Sequence, residues 1–258
     1  MVSGVAATLV LAVSGVLFER VGHAAPFVLV ALGTLLLAGL GVLGVREPPP
    51  VQHTGHASLR VWATLRRLLT ARPRPWRWLL VALFLSAGAR SMVETGSSSF
   101  VVFTLGMRLG DAAALRVVGV VAFLLGAVPS ARLATRIGRR QTVALGLLLV
   151  MLTYGATYAW VSTPQAYALV LGVAGLGGEL VLVNLLPLVF DLGADAQFVA
   201  CTGLAAVPVQ AAAVVRPSVA GLVVEATGSP RTLFGVAAVA IGVAWLLLQR
   251  VHVETVTP

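Results

Sequence analysis

Ala131-Arg132-Leu133-Ala134-Thr135-Arg136-Ile137-Gly138-Arg139-Arg140 sets four arginines between two long apolar runs. Guanidinium groups are too costly to leave in hydrocarbon, and Gly138 can turn the chain without a Cβ penalty. The flanking runs read as membrane-embedded. The turn between them therefore lies at a water-facing surface, and its basic character points to the cytoplasmic one. The rest of the topology is counted outward from it.

Composition supports that start. Of 258 residues, 59% are hydrophobic and 10% charged, and mean hydropathy is +0.98. Soluble domains run nearer about 45–50% apolar and about 25% charged. Too little polar surface remains for a water-soluble shell, so the chain reads as an all-α polytopic membrane protein. Its net charge of +9 comes from 18 arginines and no lysine. A nucleic-acid binder would carry that charge on one face of a polar domain. Here it clusters in the gaps between apolar runs, which excludes that class. The single cysteine, Cys201, lies in an apolar run and reads as a packing residue. No cleaved signal peptide is expected, because the start lacks a basic n-region and a small-residue cleavage site.

Eight spans are expected. The first, residues 1–18, is short and begins almost at Met1, which suggests that upstream helices are missing or the start misassigned. Pro26 opens the second, which ends near Val45. A basic gap follows, with seven arginines from Arg46 to Arg77 against the one acid Glu47. Pro48-Pro49-Pro50 stiffens its entry. Ser58 can cap a short amphipathic helix with Leu59, Trp62, Leu65 and Leu69 on one side, suited to the headgroup level. A partly ordered linker is the alternative. The third span, from Trp76 and Trp78 to about Leu105, is long enough to tilt or bend, and its tryptophans are expected at the interface. Asp111 is placed as the cap of the fourth. The fifth runs from Thr142 to Trp160, with Tyr158 and Trp160 marking its far end. The sixth, about residues 166–190, carries Gly172, Gly175, Gly177 and Gly178, which allow close helix approach. Asp191 and Asp195 read as turn and cap residues. The seventh, about 198–224, is interrupted by Pro208 and Pro217, and the eighth spans 233–248.

With the long basic gap inside, alternation also puts the arginine turn and the C-terminus inside. Twelve arginines then fall on the inner side and three on the outer, and the other three, Arg90, Arg116 and Arg216, lie within spans. That bias is the positive-inside pattern. The organisation expected is residues 1–45 as two helices, 46–75 as a cytoplasmic linker, 76–250 as a six-helix unit and 251–258 as a tail. The expected location is the inner or plasma membrane, with both termini of this chain cytoplasmic.

The arginine turn resembles the cytoplasmic loop of the major facilitator superfamily, roughly Gly-x-Leu-Ala-Asp-Arg-x-Gly-Arg-Arg. Ala131 stands at the first glycine and Thr135 at the aspartate, whereas Leu133, Ala134, Arg136, Gly138, Arg139 and Arg140 match. The family has twelve spans in two six-helix halves, with this loop after the second span of each half. The resemblance implies that the chain lacks the first four of twelve spans. It also implies that Leu133, Arg136, Gly138, Arg139 and Arg140 form a gating loop, which Thr135 weakens. Simple topology anchoring and binding of anionic lipid is the alternative role for these arginines. Asn184-Leu-Leu-Pro187 through Asp191, Pro217-x-x-x-Gly221 and Ser229-x-Arg231-x-x-Phe234 also look like sugar-type, SLC45-like cation-coupled members. Some drug-efflux members share them.

Charged residues inside the spans carry most of the functional information. Arg90 and Glu94 sit four apart on the third span, with Ser86 and Ser98 extending the face. Glu94 can carry a proton or cation, and Arg90 can hold an anionic group or set the glutamate's charge. An internal ion pair for packing is the alternative. Glu179, directly after Gly177-Gly178, is the best single ion-coupling acid. Asn184 and Gln210 are less specific polar groups. Arg216 beside Pro217 either lines a cavity or snorkels outward, and snorkelling is the reading preferred for Arg116.

No enzyme signature and no cofactor site appear. His23, His53, His56 and His252 lie in gaps or the tail, and His53 and His56 lack partners for a metal site. The function expected is secondary active transport of a small solute by alternating access, coupled to H+ or Na+. The missing helices would come from the chain's own N-terminus, a second copy or a partner subunit. The rival is a non-transporting membrane scaffold or an inactive transporter remnant.

Overall fold

A computed structural model describes residues 24–44, 74–191 and 198–251. Every element within them is helical: α1 (Ala25–Gly44), α2 (Arg74–Ser99) running into a π-helical segment (Phe100–Thr104), α3 (Leu109–Ile137), α4 (Arg139–Ala159), α5 (Pro164–Asp191), α6 (Phe198–Thr227) and α7 (Thr232–Gln249). Helices α2 to α7 are each long and apolar enough to cross a bilayer, and α1 adds a shorter apolar stretch, Phe27–Leu40. The expected first span, the amphipathic linker helix, Asp195 and all four histidines lie outside the described residues.

The six long helices pack in an order different from their sequence. Extensive contacts join α6 to α2, α2 to α7, α7 to α4, α4 to α5, and α5 to α3. Sequence neighbours α2 and α3 barely touch. Small residues set the closest seams, as expected where packing rather than hydrophobicity drives helix association. A Cβ on Gly175 of α5 would overlap the Gly119 carbonyl of α3, and one on Gly146 of α4 would stand 2.6 Å from the Gly177 carbonyl of α5. Gly172 makes no comparable approach, and Gly178 faces Arg90 and Phe123 instead of a helix backbone.

Four aromatic rings bind the bundle near the end opposite the arginine turn. Phe100, Tyr167 and Phe234 are buried, with Phe100 5.1 Å from Tyr167 and 5.0 Å from Phe234, ring centre to ring centre. Tyr154 joins them edge-on at 6.1 Å from Phe234. Such tilted pairs add to the area they bury. Phe100 reaches the cluster as α2 passes into its π-helical turn, where the Leu105 N–H donates to the Phe100 carbonyl at 3.2 Å. The long third span thus ends in a π-helical turn.

Two readings of the sequence are corrected here and one is refined. Trp76 is not an interfacial anchor, because it is 3% exposed in the core. Tyr158 and Trp160, at the far end of α4, are exposed, the latter 81%. Asp111 does cap α3, from the first turn and not from the N-cap position, its carboxylate accepting from the N–H of the N-cap residue Arg108 at 3.3 Å. Pro208 and Pro217 do not interrupt α6, which stays helical through both. Each proline removes one backbone donor, and membrane helices tolerate that loss.

Candidate functional site

The gap between α2 and α3 holds a cavity of about 390 Å3, backed by α4 and α5. Arg90, Glu94 and Ser97 enter it from α2, Arg116 and Phe123 from α3, Tyr154 from α4 and Gly178 from α5. Residues 90, 94 and 97 follow helical spacing, so one face of α2 supplies a cation, an acid and a hydroxyl. Arg90 Nε lies 3.3 Å from Glu94 Oε1, with side chains 40% and 56% exposed. Arg116 donates to Ser97 Oγ through both Nε (3.1 Å) and Nη2 (2.7 Å). Arg116 therefore turns inward and does not snorkel. It is the cavity residue that sequence reasoning missed, and Ser97 is its partner in place of Ser86 or Ser98. Ser86 bonds back to the Leu83 carbonyl. The signal for Ser97 was present in its spacing of seven from Arg90, whereas nothing in the sequence pointed Arg116 at it.

The other expected pathway residues disperse around this cavity. Glu179 is 4% exposed, packed across Gly126 of α3 and next to the cavity-lining Gly178. It does not itself line the space. Its Oε2 has no hydrogen-bond partner among the described residues. Asn184 is buried in the α3–α5 seam, where Nδ2 donates to Ser130 Oγ at 2.8 Å and to the Leu180 carbonyl at 2.9 Å. Arg216 reaches from α6 to Ser91 Oγ on α2. Gln210 lies exposed on α6. Among the described residues, no three His, Cys, Asp or Glu side chains gather as a metal site.

The arginine turn forms a second constellation. Gly138 takes φ +86° between α3 and α4, a conformation that side chains disfavour. Arg139 pairs with Asp191 at the end of α5, Nη1 to Oδ1 at 2.5 Å. Asp191 is thus more than a turn residue. Arg140 donates to the Leu248 carbonyl (3.3 Å) and the Gln249 carbonyl (2.6 Å), satisfying the open C-terminus of α7. Arg136 is exposed in the last turn of α3, where a cation suits the helix dipole. Leu133 is half-buried, and among the described residues Thr135 bonds only to the Arg132 carbonyl. The turn is therefore tied to α5 and α7 through Arg139 and Arg140, without the aspartate that Thr135 replaces.

A bundle of six helices, each long and apolar enough to span a bilayer, with a charged cavity between them is the architecture of a polytopic membrane protein. The family described as "MFS/sugar transport protein" matches residues 1–225, so the chain belongs to that major facilitator family of membrane transport proteins. Two solved structures share the fold. A single-residue variant of the E. coli fucose:proton symporter FucP aligns with a TM-score of 0.63 and 19% identity over 87% of this chain. FucP in the outward conformation, described as a major facilitator superfamily transporter, aligns at 0.61 and 22% over 88%. The chain spans 54% of FucP's length in both. No match was found among curated protein sequences.

Proposed function

We propose that this chain takes part in secondary active transport of a small solute across the inner or plasma membrane, working by alternating access. The observation that carries the reading is the charged cavity between the apolar helices α2 and α3, where two arginines and a glutamate meet in a member of a transport family. Charge is costly there and is most often retained along a substrate or ion path. The α2–α7 unit acts as one half of the transporter. The other half comes from α1 and further helices of a longer chain, a second copy or a partner. The arginine-rich end, with Arg132, Arg136, Arg139 and Arg140, faces the cytoplasm, as do both termini of this chain, and its exposed arginines meet anionic lipid.

Coupling to protons is supported by two acids and by the likeness to a protein described as a fucose:proton symporter. Glu94 stands in the cavity beside Arg90, and Glu179 lies buried behind its wall with an unpartnered oxygen. Gain or loss of a proton at either changes the charge that the two halves close upon. The test is uptake of labelled fucose, glucose and glucuronate into proteoliposomes, with and without an inward proton gradient. An acidic exterior is expected to drive accumulation. The double variant Glu94→Gln, Glu179→Gln is expected to retain solute exchange and lose the response to the gradient. Undiminished proton-driven accumulation in that variant would remove both acids as carriers.

A further inference from the structure

We infer that a groove between α4 and α7, at the arginine-rich end, holds one anionic phospholipid, its phosphate on Arg140 and Gln141 and an acyl chain along Leu145, Leu148 and Trp245. The inference deepens the proposed contact of that end with anionic lipid, and rests on it for placement in the bilayer. The groove has a volume of about 360 Å3 and shares no lining residue with the α2–α3 cavity. Its polarity changes along its length. Arg140, Gln141 and Gln249 form the end nearest the turn, and Leu145, Leu148 and Trp245 line the part further in. Arg140 to Leu148 is eight residues, about 12 Å along the helix axis. The groove thus runs from charge through amides to hydrocarbon, the order met from the headgroup of a phospholipid into its tail. A water-soluble anion would match only the polar end.

The groove lies on the outside of the bundle. Tyr154 marks the face of α4 that meets the α2–α3 cavity. Leu145 is nine residues away, about two and a half turns, and so lies on the opposite face. It is 38% exposed, and Gln141 and Gln249 are exposed as well. An apolar surface of membrane-spanning helices that faces away from the cavity meets lipid chains. Charge then selects among lipids. Arg140 gives Nε and Nη2 to the last carbonyls of α7, which fixes its guanidinium plane at the rim. Its Nη1 donors make no hydrogen bond among the described residues, and a phosphate oxygen suits them. Arg136, exposed beside the lining residue Ile137, adds to the attraction. Basic pockets between membrane helices are a recurring seat for anionic headgroups.

The full chain in phosphatidylcholine nanodiscs tests this, with a minor fraction of the lipid brominated on its acyl chains, because bromine quenches a neighbouring indole. Brominated phosphatidylglycerol is expected to quench Trp245 at about tenfold lower concentration than brominated phosphatidylcholine. Trp245→Phe should abolish the difference. Gln141→Glu sets a negative charge against the phosphate and should lower the preference about fivefold or more. Gln141→Lys should preserve it, which separates charge from folding. Arg132→Gln, at the same end but outside the groove, should lower it less than about twofold. Equal quenching by the two lipids would overturn the inference, as would a preference that survives Trp245→Phe. A preference that Arg132→Gln lowers as much as Gln141→Glu does would also overturn it, while leaving the contact of the arginine-rich end with anionic lipid standing as diffuse attraction. Displacement of the brominated lipid by glycerol phosphate would make this a site for a soluble anion and overturn the lipid. A preference seen only once residues 252–258 are removed would give the groove to the chain's own tail, which carries Glu254, and would overturn it equally.

Discussion

Helices α4 and α7 are locked to each other at both ends, whereas α2 and α3, adjacent in sequence, stand apart around the cavity. In the first pair, Arg140 at the start of α4 covers the last carbonyls of α7. Arg231, just before α7, returns the favour at the opposite end, donating to the Thr157 carbonyl (3.3 Å) and the Val161 carbonyl (2.8 Å) where α4 finishes. Antiparallel packing brings each helix's basic start beside the other's electron-rich finish, so one residue type closes both ends. In the second pair, Arg116 crosses to a side chain, Ser97, and leaves open space beside it. An arginine spent on backbone carbonyls makes a strut. An arginine spent on one hydroxyl lines an open space instead.

The largest expected effect breaks the frame that holds α3 away from α2. Gly175→Val would drive a side chain into the Gly119 carbonyl, and backbone cannot yield as a side chain can. A loss of about 3 kcal/mol or more is expected, seen as a fall in melting temperature and loss of a single size-exclusion peak. Next come the struts. Arg140→Gln and Arg231→Gln should each cost about 2 kcal/mol, because charge-assisted bonds to helix-end carbonyls are lost. Their sites lie at opposite ends of α4, so the two costs should add in the double variant. Strong non-additivity in thermal melts would show that the ends communicate.

Ser97→Ala sharpens the contrast from the other side. It should change stability by about 1 kcal/mol while lowering solute uptake in proteoliposomes, since Arg116 loses what orients it. The strut variants should show the opposite pattern, a lowered melt with uptake by the folded protein intact. Arg139→Gln is expected to do least to stability. Its pair with Asp191 is 46% and 36% exposed, and such pairs contribute under about 1 kcal/mol, less in high salt. A large drop in the melt on that change would mean the arginine turn supports the fold more than its exposure implies.

Much of the architecture was legible in the residues. Apolar runs between short polar or arginine-bearing gaps marked α2 to α7 to within a few positions, because a bilayer demands helices of a set length. Arg90 and Glu94 were legible as a pair because four residues bring two side chains to one helix face. Trp76 and Arg116 were misread for a single reason. A helix apolar on every side carries no stripe to say which face meets protein and which meets lipid. Position near a helix end then suggested the interface for both, yet one is core and the other lines the cavity.

The sequence alone determined that this chain is helical, that its helices cross a membrane and that arginines crowd one end, since local hydrophobicity and charge decide partition into lipid. Only the tertiary structure decided which helices touch, that Glu179 stands behind the cavity wall, and that Arg116 meets Ser97 across it. Those outcomes depend on how closely glycine-bearing surfaces approach in three dimensions, and residues 19 positions apart carry no local trace of that meeting.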